Sequence, residues 1–80
     1  MNIRLIAYGI AKDIIGGSEV SYSLQDGRTT GALKDSLQKK FPEFSKLASL
    51  RLAVDVDYVE DTYELTENDE VVIIPPVSGG

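Results

Sequence analysis

The sequence predicts a single α+β domain, a mixed sheet of four to five strands with one main helix packed across one face. Three observations predict it. Segments alternating with a period of two stand toward both ends of the chain, and one segment with apolar spacing of four lies between them. The 80 residues leave room for one core only. Apolar residues make up 42% and charged residues 26%, the balance of a chain that folds rather than one that stays disordered. A domain of this size buries about 60 to 65% of the surface its unfolded chain exposes, so a deep private active site is not expected.

Each element has its own signal. In residues 2 to 9, Ile3, Leu5 and Ala7 alternate with Arg4, Ile6 and Tyr8, and both sets are partly apolar, as in a central strand occupied on both faces. Gly16-Gly17 marks a turn into a second strand, where Val20, Tyr22 and Leu24 alternate with Glu19, Ser21 and Ser23. These two strands are expected to form a hairpin, followed by the breaker Asp26-Gly27. The helix follows. Thr29 offers a hydroxyl to the orphan amides of its first turn, Leu33, Leu37 and Phe41 recur on one face, and Pro42 stops it near Lys40. Phe44 and Leu47 are expected to close the end of the core. Residues 50 to 59 alternate again and predict one long third strand, with a largely polar second face. Tyr63 to Leu65 suggests a short strand, and Val71 to Ile74 a last one, apolar on both faces. If the last strand lies beside the first, Ile3, Leu5, Val71 and Ile73 face the helix. Ile6, Tyr8, Val72 and Ile74 then share the other face, a predicted patch for a partner protein.

Composition removes most catalytic chemistry. Without Cys or His there is no disulfide, no thiolate nucleophile, no imidazole base and no structural zinc site. Asp55-Val56-Asp57 begins like a calcium loop, but Val59 and Glu60 stand where an oxygen ligand and a glycine are needed, so no metal site is predicted. Glu60 and Asp61 point apart and have no nucleophile to serve. No apolar run exceeds four residues, against the roughly 18 of a membrane span, and no signal segment opens the chain. A soluble, cytoplasmic protein is expected. Residues 1 to 51 carry 8 bases and 5 acids, net +3, whereas residues 52 to 80 carry 8 acids and no base, net −8. Such a field repels nucleic acid and suits a basic partner surface.

The end of the chain carries the functional expectation. Pro75-Pro76-Val77-Ser78-Gly79-Gly80 follows the last strand, and its two prolines stiffen the exit from the sheet. Six residues at about 3.3 Å each reach roughly 20 Å, enough to enter a cleft in another protein. Gly79 and Gly80 lack side chains that would block a constriction, and an unhindered carboxylate sits at the tip. The expected organisation is a domain of residues 1 to 74 and a projecting tail of residues 75 to 80. A carboxylate is a poor electrophile until it is activated, for example as an acyl adenylate. The glycines form no P-loop, so a partner enzyme must supply the ATP chemistry.

The chain resembles the ubiquitin-like sulfur carriers of the MoaD/ThiS family, most closely the MoaD type. The resemblance rests on the ending Ile74-Pro75-Pro76-Val77-Ser78-Gly79-Gly80, on Glu67-Asn68-Asp69-Glu70-Val71-Val72 before it, and on Tyr8-Gly9-Ile10-Ala11-Lys12-Asp13-Ile14-Ile15-Gly16. It spans essentially the whole chain. Departures are Asn68 for the usual Gly, Asp55 for Asn, Lys12-Asp13 for Arg-Glu and Gly9 for Ala; none touches the tail.

The resemblance implies a β-grasp fold and a role as the non-catalytic small subunit of a molybdopterin synthase. Gly80 would be adenylated with ATP by a MoeB-like enzyme and converted to a covalent thiocarboxylate, with no cofactor bound by the chain itself. The tail, Pro75, Pro76, Val77, Ser78, Gly79 and Gly80, would enter a MoaE-like large subunit, in a heterotetramer, and give sulfur to precursor Z. Alternatives are the same chemistry serving thiamine, tRNA thiolation or cysteine, a ubiquitin-like modifier joined to lysines, and a plain interaction domain.

Overall fold

A computed structural model describes residues 1 to 46, 50 to 54 and 57 to 74. The elements are β1 (Asn2–Ala7), α1 (Gly9–Ile15), β2 (Glu19–Ser23), α2 (Thr30–Lys40), a 3-10 turn (Pro42–Lys46), β3 (Arg51–Val54), β4 (Asp57–Tyr58) and β5 (Glu70–Ile74). The strands form one mixed sheet in the order β2-β1-β5-β3-β4. Among the described residues only the central pair, β1 and β5, is parallel; the other three pairings are antiparallel. The α+β expectation holds, with five strands and α2 as the main helix.

Period-two alternation places the core. Ile3, Leu5 and Ala7 on β1 and Val71 and Ile73 on β5 are completely buried, together with Leu33 and Leu37 of α2. Phe44, Leu24, Leu52 and Leu65 close the cluster at 1 to 2% exposure. Full burial of a Leu or Ile side chain contributes about 1.5 to 3 kcal/mol, so these residues supply most of the drive to fold.

The start and stop of α2 follow from local chemistry. The Thr29 hydroxyl accepts from the Ala32 amide at 3.1 Å. The Phe41 amide still donates to Leu37 at 2.7 Å, and Pro42 then turns the chain out. A distant segment completes the N-terminal cap. The Thr30 amide donates to the Tyr63 carbonyl at 3.0 Å and the Gly31 amide to that of Asp61 at 2.9 Å. The buried Thr30 hydroxyl donates to the carbonyl of Glu60, and Lys34 pairs with Asp61 at 2.7 Å.

Three expectations are corrected. The link between β1 and β2 is not a simple turn but the seven-residue helix α1, which buries Ala11 and Ile15, one turn apart. Gly16-Gly17 is the end of this helix: Gly16 has φ +87°, and both glycine amides donate to Lys12, at 2.9 and 3.1 Å. The expected strand over residues 50 to 59 is two antiparallel strands, since Val54 lies opposite Asp57 and Ala53 opposite Tyr58. Apolar residues at every second position do not by themselves tell one long strand from two antiparallel ones. Tyr63 to Leu65 forms no strand, only a single bridge between Glu64 and Thr29 beside the buried Leu65. Leu47, expected to close the core, lies outside the described residues.

The approach to β5 is fixed by its own turn. Asn68 has φ +68°, a conformation that asparagine tolerates. Asp69 accepts from the Thr66 amide at 2.8 Å and the Thr66 hydroxyl at 2.9 Å, while its carbonyl accepts from the Arg4 amide at 2.9 Å. The turn therefore sets the register in which Leu5 faces Val71 and Ile6 faces Val72.

Candidate functional site

With odd residues of β1 and β5 turned to α2, the even ones lie on the opposite face of the sheet. Ile6, Val72 and Ile74 are half-buried there, and no helix covers them among the described residues. Across the ladder from β3, Ala53 lies opposite Val72, and Arg51 opposite Ile74. Charges fence the lower end of this apolar strip. Arg4, two residues before Ile6, pairs with Glu19 on β2 and with Glu70 on β5, the latter at 3.4 Å. All three side chains are about half exposed, so these pairs contribute little stability and chiefly keep that end of the face hydrated.

Because β1 and β5 are parallel, both leave the sheet at the same end. Ala7 is the register partner of Ile73, so Tyr8 and Ile74 follow from neighbouring positions. Tyr8 is extended (φ −130°, ψ 159°) and caps α1 through its backbone carbonyl, which accepts from Ala11 at 3.2 Å; its side chain is 62% exposed. The four patch residues predicted from sequence, Ile6, Tyr8, Val72 and Ile74, are thus gathered on one face and its upper rim. Sequence reasoning missed Ile10, in the first turn of α1 and 50% exposed. Its signal was the spacing of Ala11 and Ile15, which marks a helix on which Ile10, about 100° around from Ala11, lies off the buried stripe.

The sequence-predicted stem and carboxylate, Pro75, Pro76, Val77, Ser78, Gly79 and Gly80, lie outside the described residues. Ile74, the last described residue, sits at the edge of the apolar strip, so the chain continues from beside it. Among the described residues no group of three His, Cys, Asp or Glu side chains is placed to hold a metal ion, and no helix is long and apolar enough to cross a membrane.

A parallel β1–β5 pair flanked by antiparallel strands, crossed by one main helix, is the ubiquitin-like β-grasp, here with an uncovered apolar strip at the root of its final segment. Within that class, residues 6–80 match the model of the ThiS family, and the chain belongs to it. It is 31% identical over 81 residues to the molybdopterin synthase sulfur carrier subunit of Arabidopsis thaliana, covering 100% of this chain and 84% of that one. Its fold is similar to a structure described as molybdopterin converting factor, subunit 1, from Pyrococcus furiosus (TM-score 0.83, 22% identity, 96% of this chain and 99% of that one). It is also similar to the small archaeal modifier protein 1 of Haloferax volcanii (TM-score 0.77, 15% identity, 95% and 98% covered).

Proposed function

We infer that this chain is the sulfur-carrying small subunit of a molybdopterin synthase, a carrier and not the catalytic subunit. One observation carries the inference: the chain belongs to the ThiS family through to Gly80, and a relative matched along the whole of this chain is named a molybdopterin synthase sulfur carrier subunit. The absence of His and Cys fits a subunit that provides neither a general base nor a thiolate.

The chemistry belongs to the terminal carboxylate. In the active site of a MoeB-like adenylating enzyme, the Gly80 carboxylate attacks the α-phosphate of ATP and expels pyrophosphate. Sulfide then attacks the acyl carbon and AMP leaves, so that a thiocarboxylate remains. Inside a MoaE-like large subunit the thiocarboxylate sulfur attacks a carbon of precursor Z, and the carbon–oxygen bond there breaks, its oxygen leaving with the bonding electrons. Water next cleaves the acyl–sulfur bond, which leaves sulfur on the precursor and returns the carboxylate to Gly80. The cycle runs in the cytoplasm, where the ATP it consumes is held.

Docking precedes that chemistry. The tail of residues 75 to 80 projects from the domain of residues 1 to 74, and Ile6, Val72, Ile74 and Tyr8 anchor the large subunit around its root. Apolar side chains already half-desolvated, fenced by ion pairs, lose little on being covered and gain about 25 cal/mol per Å² of apolar surface. Two carriers and two large subunits form the working heterotetramer.

The test is intact mass. Incubation with an adenylating enzyme, ATP and sulfide is expected to raise the mass by about 16 Da, one oxygen exchanged for sulfur. An unchanged mass overturns the reading.

A further inference from the structure

The far edge of the sheet, at β2, is set up for a different partner. Antiparallel pairing alternates between residues whose backbone groups face the neighbouring strand and residues whose groups face away. Here the Ala7 amide donates to Ser18 at 2.9 Å, and Met1 and Leu24 exchange bonds at 2.8 and 3.2 Å. Between these fixed points lie the pairs Leu5–Val20 and Ile3–Tyr22. Val20 and Tyr22 therefore turn their backbone groups to β1, while those of Glu19, Ser21 and Ser23 face outward. Among the described residues no strand lies beyond them. Three successive outward amides and carbonyls are a template for one more strand.

A groove of about 740 Å³ runs alongside this edge, between β2 and α2. Tyr22, Ser36, Lys39 and Lys40 line it, together with Asp26 and Asp35. Side chains alternate across a strand, so every second residue of a strand added to β2 would enter the groove. The Lys40 ammonium lies 5.4 Å from the centre of the Tyr22 ring and 6.0 Å from that of Phe41, which fixes its place over the groove. Neither Lys39 nor Lys40 meets a carboxylate in an ion pair among the described residues.

We propose that the β2 edge and the β2–α2 groove bind an extended segment of another protein as an added strand, with a carboxylate of that segment on Lys39 and Lys40. A second copy of this chain is the poorer occupant. Symmetric pairing through β2 would bring two Lys39–Lys40 pairs to one seam, where like charges repel. The site lies across the sheet from the root of the tail, so it leaves the sulfur chemistry free to proceed.

The experiment follows backbone amides of the full-length, ¹⁵N-labelled protein by NMR as the peptide Ac-Asp-Val-Thr-Val-Thr-Val-NH2 is added. Expected are shift changes confined to Glu19–Gln25 and Ser36–Lys40, and slowed hydrogen exchange at Ser21 and Ser23. Affinity should fall at least about tenfold for the Lys39→Glu/Lys40→Glu variant, and by a similar factor when lysine replaces aspartate in the peptide, each fold-change of ten being about 1.4 kcal/mol. No response at these amides at about 5 mM peptide, a regime that detects binding of only about 3 kcal/mol, overturns the proposal. So does an equal response to the lysine peptide. Protection of Ser21 and Ser23 that grows with protein concentration alone overturns it in favour of self-association. No activating enzyme or sulfur donor is present, so the outcome is independent of the carrier reading.

Discussion

The Gly31 amide donates to the carbonyl of Asp61 at 2.9 Å, and a Cβ at residue 31 would stand 3.1 Å from that same oxygen. A helix start that would otherwise present free amides to solvent is instead closed by a loop 30 residues further along. Gly31→Val puts a branched side chain against a backbone carbonyl that is itself held by the cap. It should lower stability by about 2 kcal/mol, read as the midpoint shift in urea unfolding at unchanged slope. Unaltered stability would show that the loop yields freely.

Asp69 sets the entry to β5 through its two bonds to Thr66. Asp69→Ala removes both, at a partly exposed site, so the expected loss is about 1 to 2 kcal/mol. For a domain of this size that corresponds to a fall in Tm of roughly 4 to 16 °C in calorimetry. The two effects should be absent together if the turn is held by Asn68 alone.

Tyr8 is mostly exposed and Ile74 half-buried, both on the rim where β1 and β5 leave the sheet. Tyr8→Glu and Ile74→Glu should keep the circular dichroism spectrum and, for Tyr8→Glu, the stability to within about 0.5 kcal/mol. Each should weaken binding to the large synthase subunit at least about tenfold in titration calorimetry, as expected of an anchor residue of an interface. Wild-type affinity in both variants would remove this patch from the interface.

Deleting Gly80 withdraws by one residue the carboxylate proposed to react and leaves the described core untouched. Thermal unfolding should be unchanged, whereas sulfur transfer to the precursor should be lost. Retained transfer would mean that the terminal residue is not the chemical handle.

Much of this was legible because the signals are local. A threonine hydroxyl, apolar residues every fourth position and a proline bound α2, and the structure returns Thr30–Lys40. Alternation in β1 and β5 assigned Ile3, Leu5, Val71 and Ile73 to the core and Ile6, Val72 and Ile74 to the other face. Helix α1 was missed because seven residues with two buried positions give too short a period to stand out, and its terminal glycines imitate a hairpin turn. The β3–β4 pairing was missed because Leu50, Leu52, Val54, Val56 and Tyr58 recur at every second position as in one strand, whereas Val54 opposite Asp57 shifts the faces by one residue.

By itself, then, the sequence determined which side chains must be buried, where the main helix begins and ends, and which reactive groups the chain does not possess. Only the tertiary structure decided the strand order, the capping of α2 by residues 60 to 63, the gathering of Ile6, Val72, Ile74 and Tyr8 at one end of the sheet, and the place of β2 at the edge of the described sheet. Burial and capping preferences are properties of neighbouring residues. Strand order and edges depend on pairings between distant segments, whose choice is made by how the whole set of apolar faces can be covered at once.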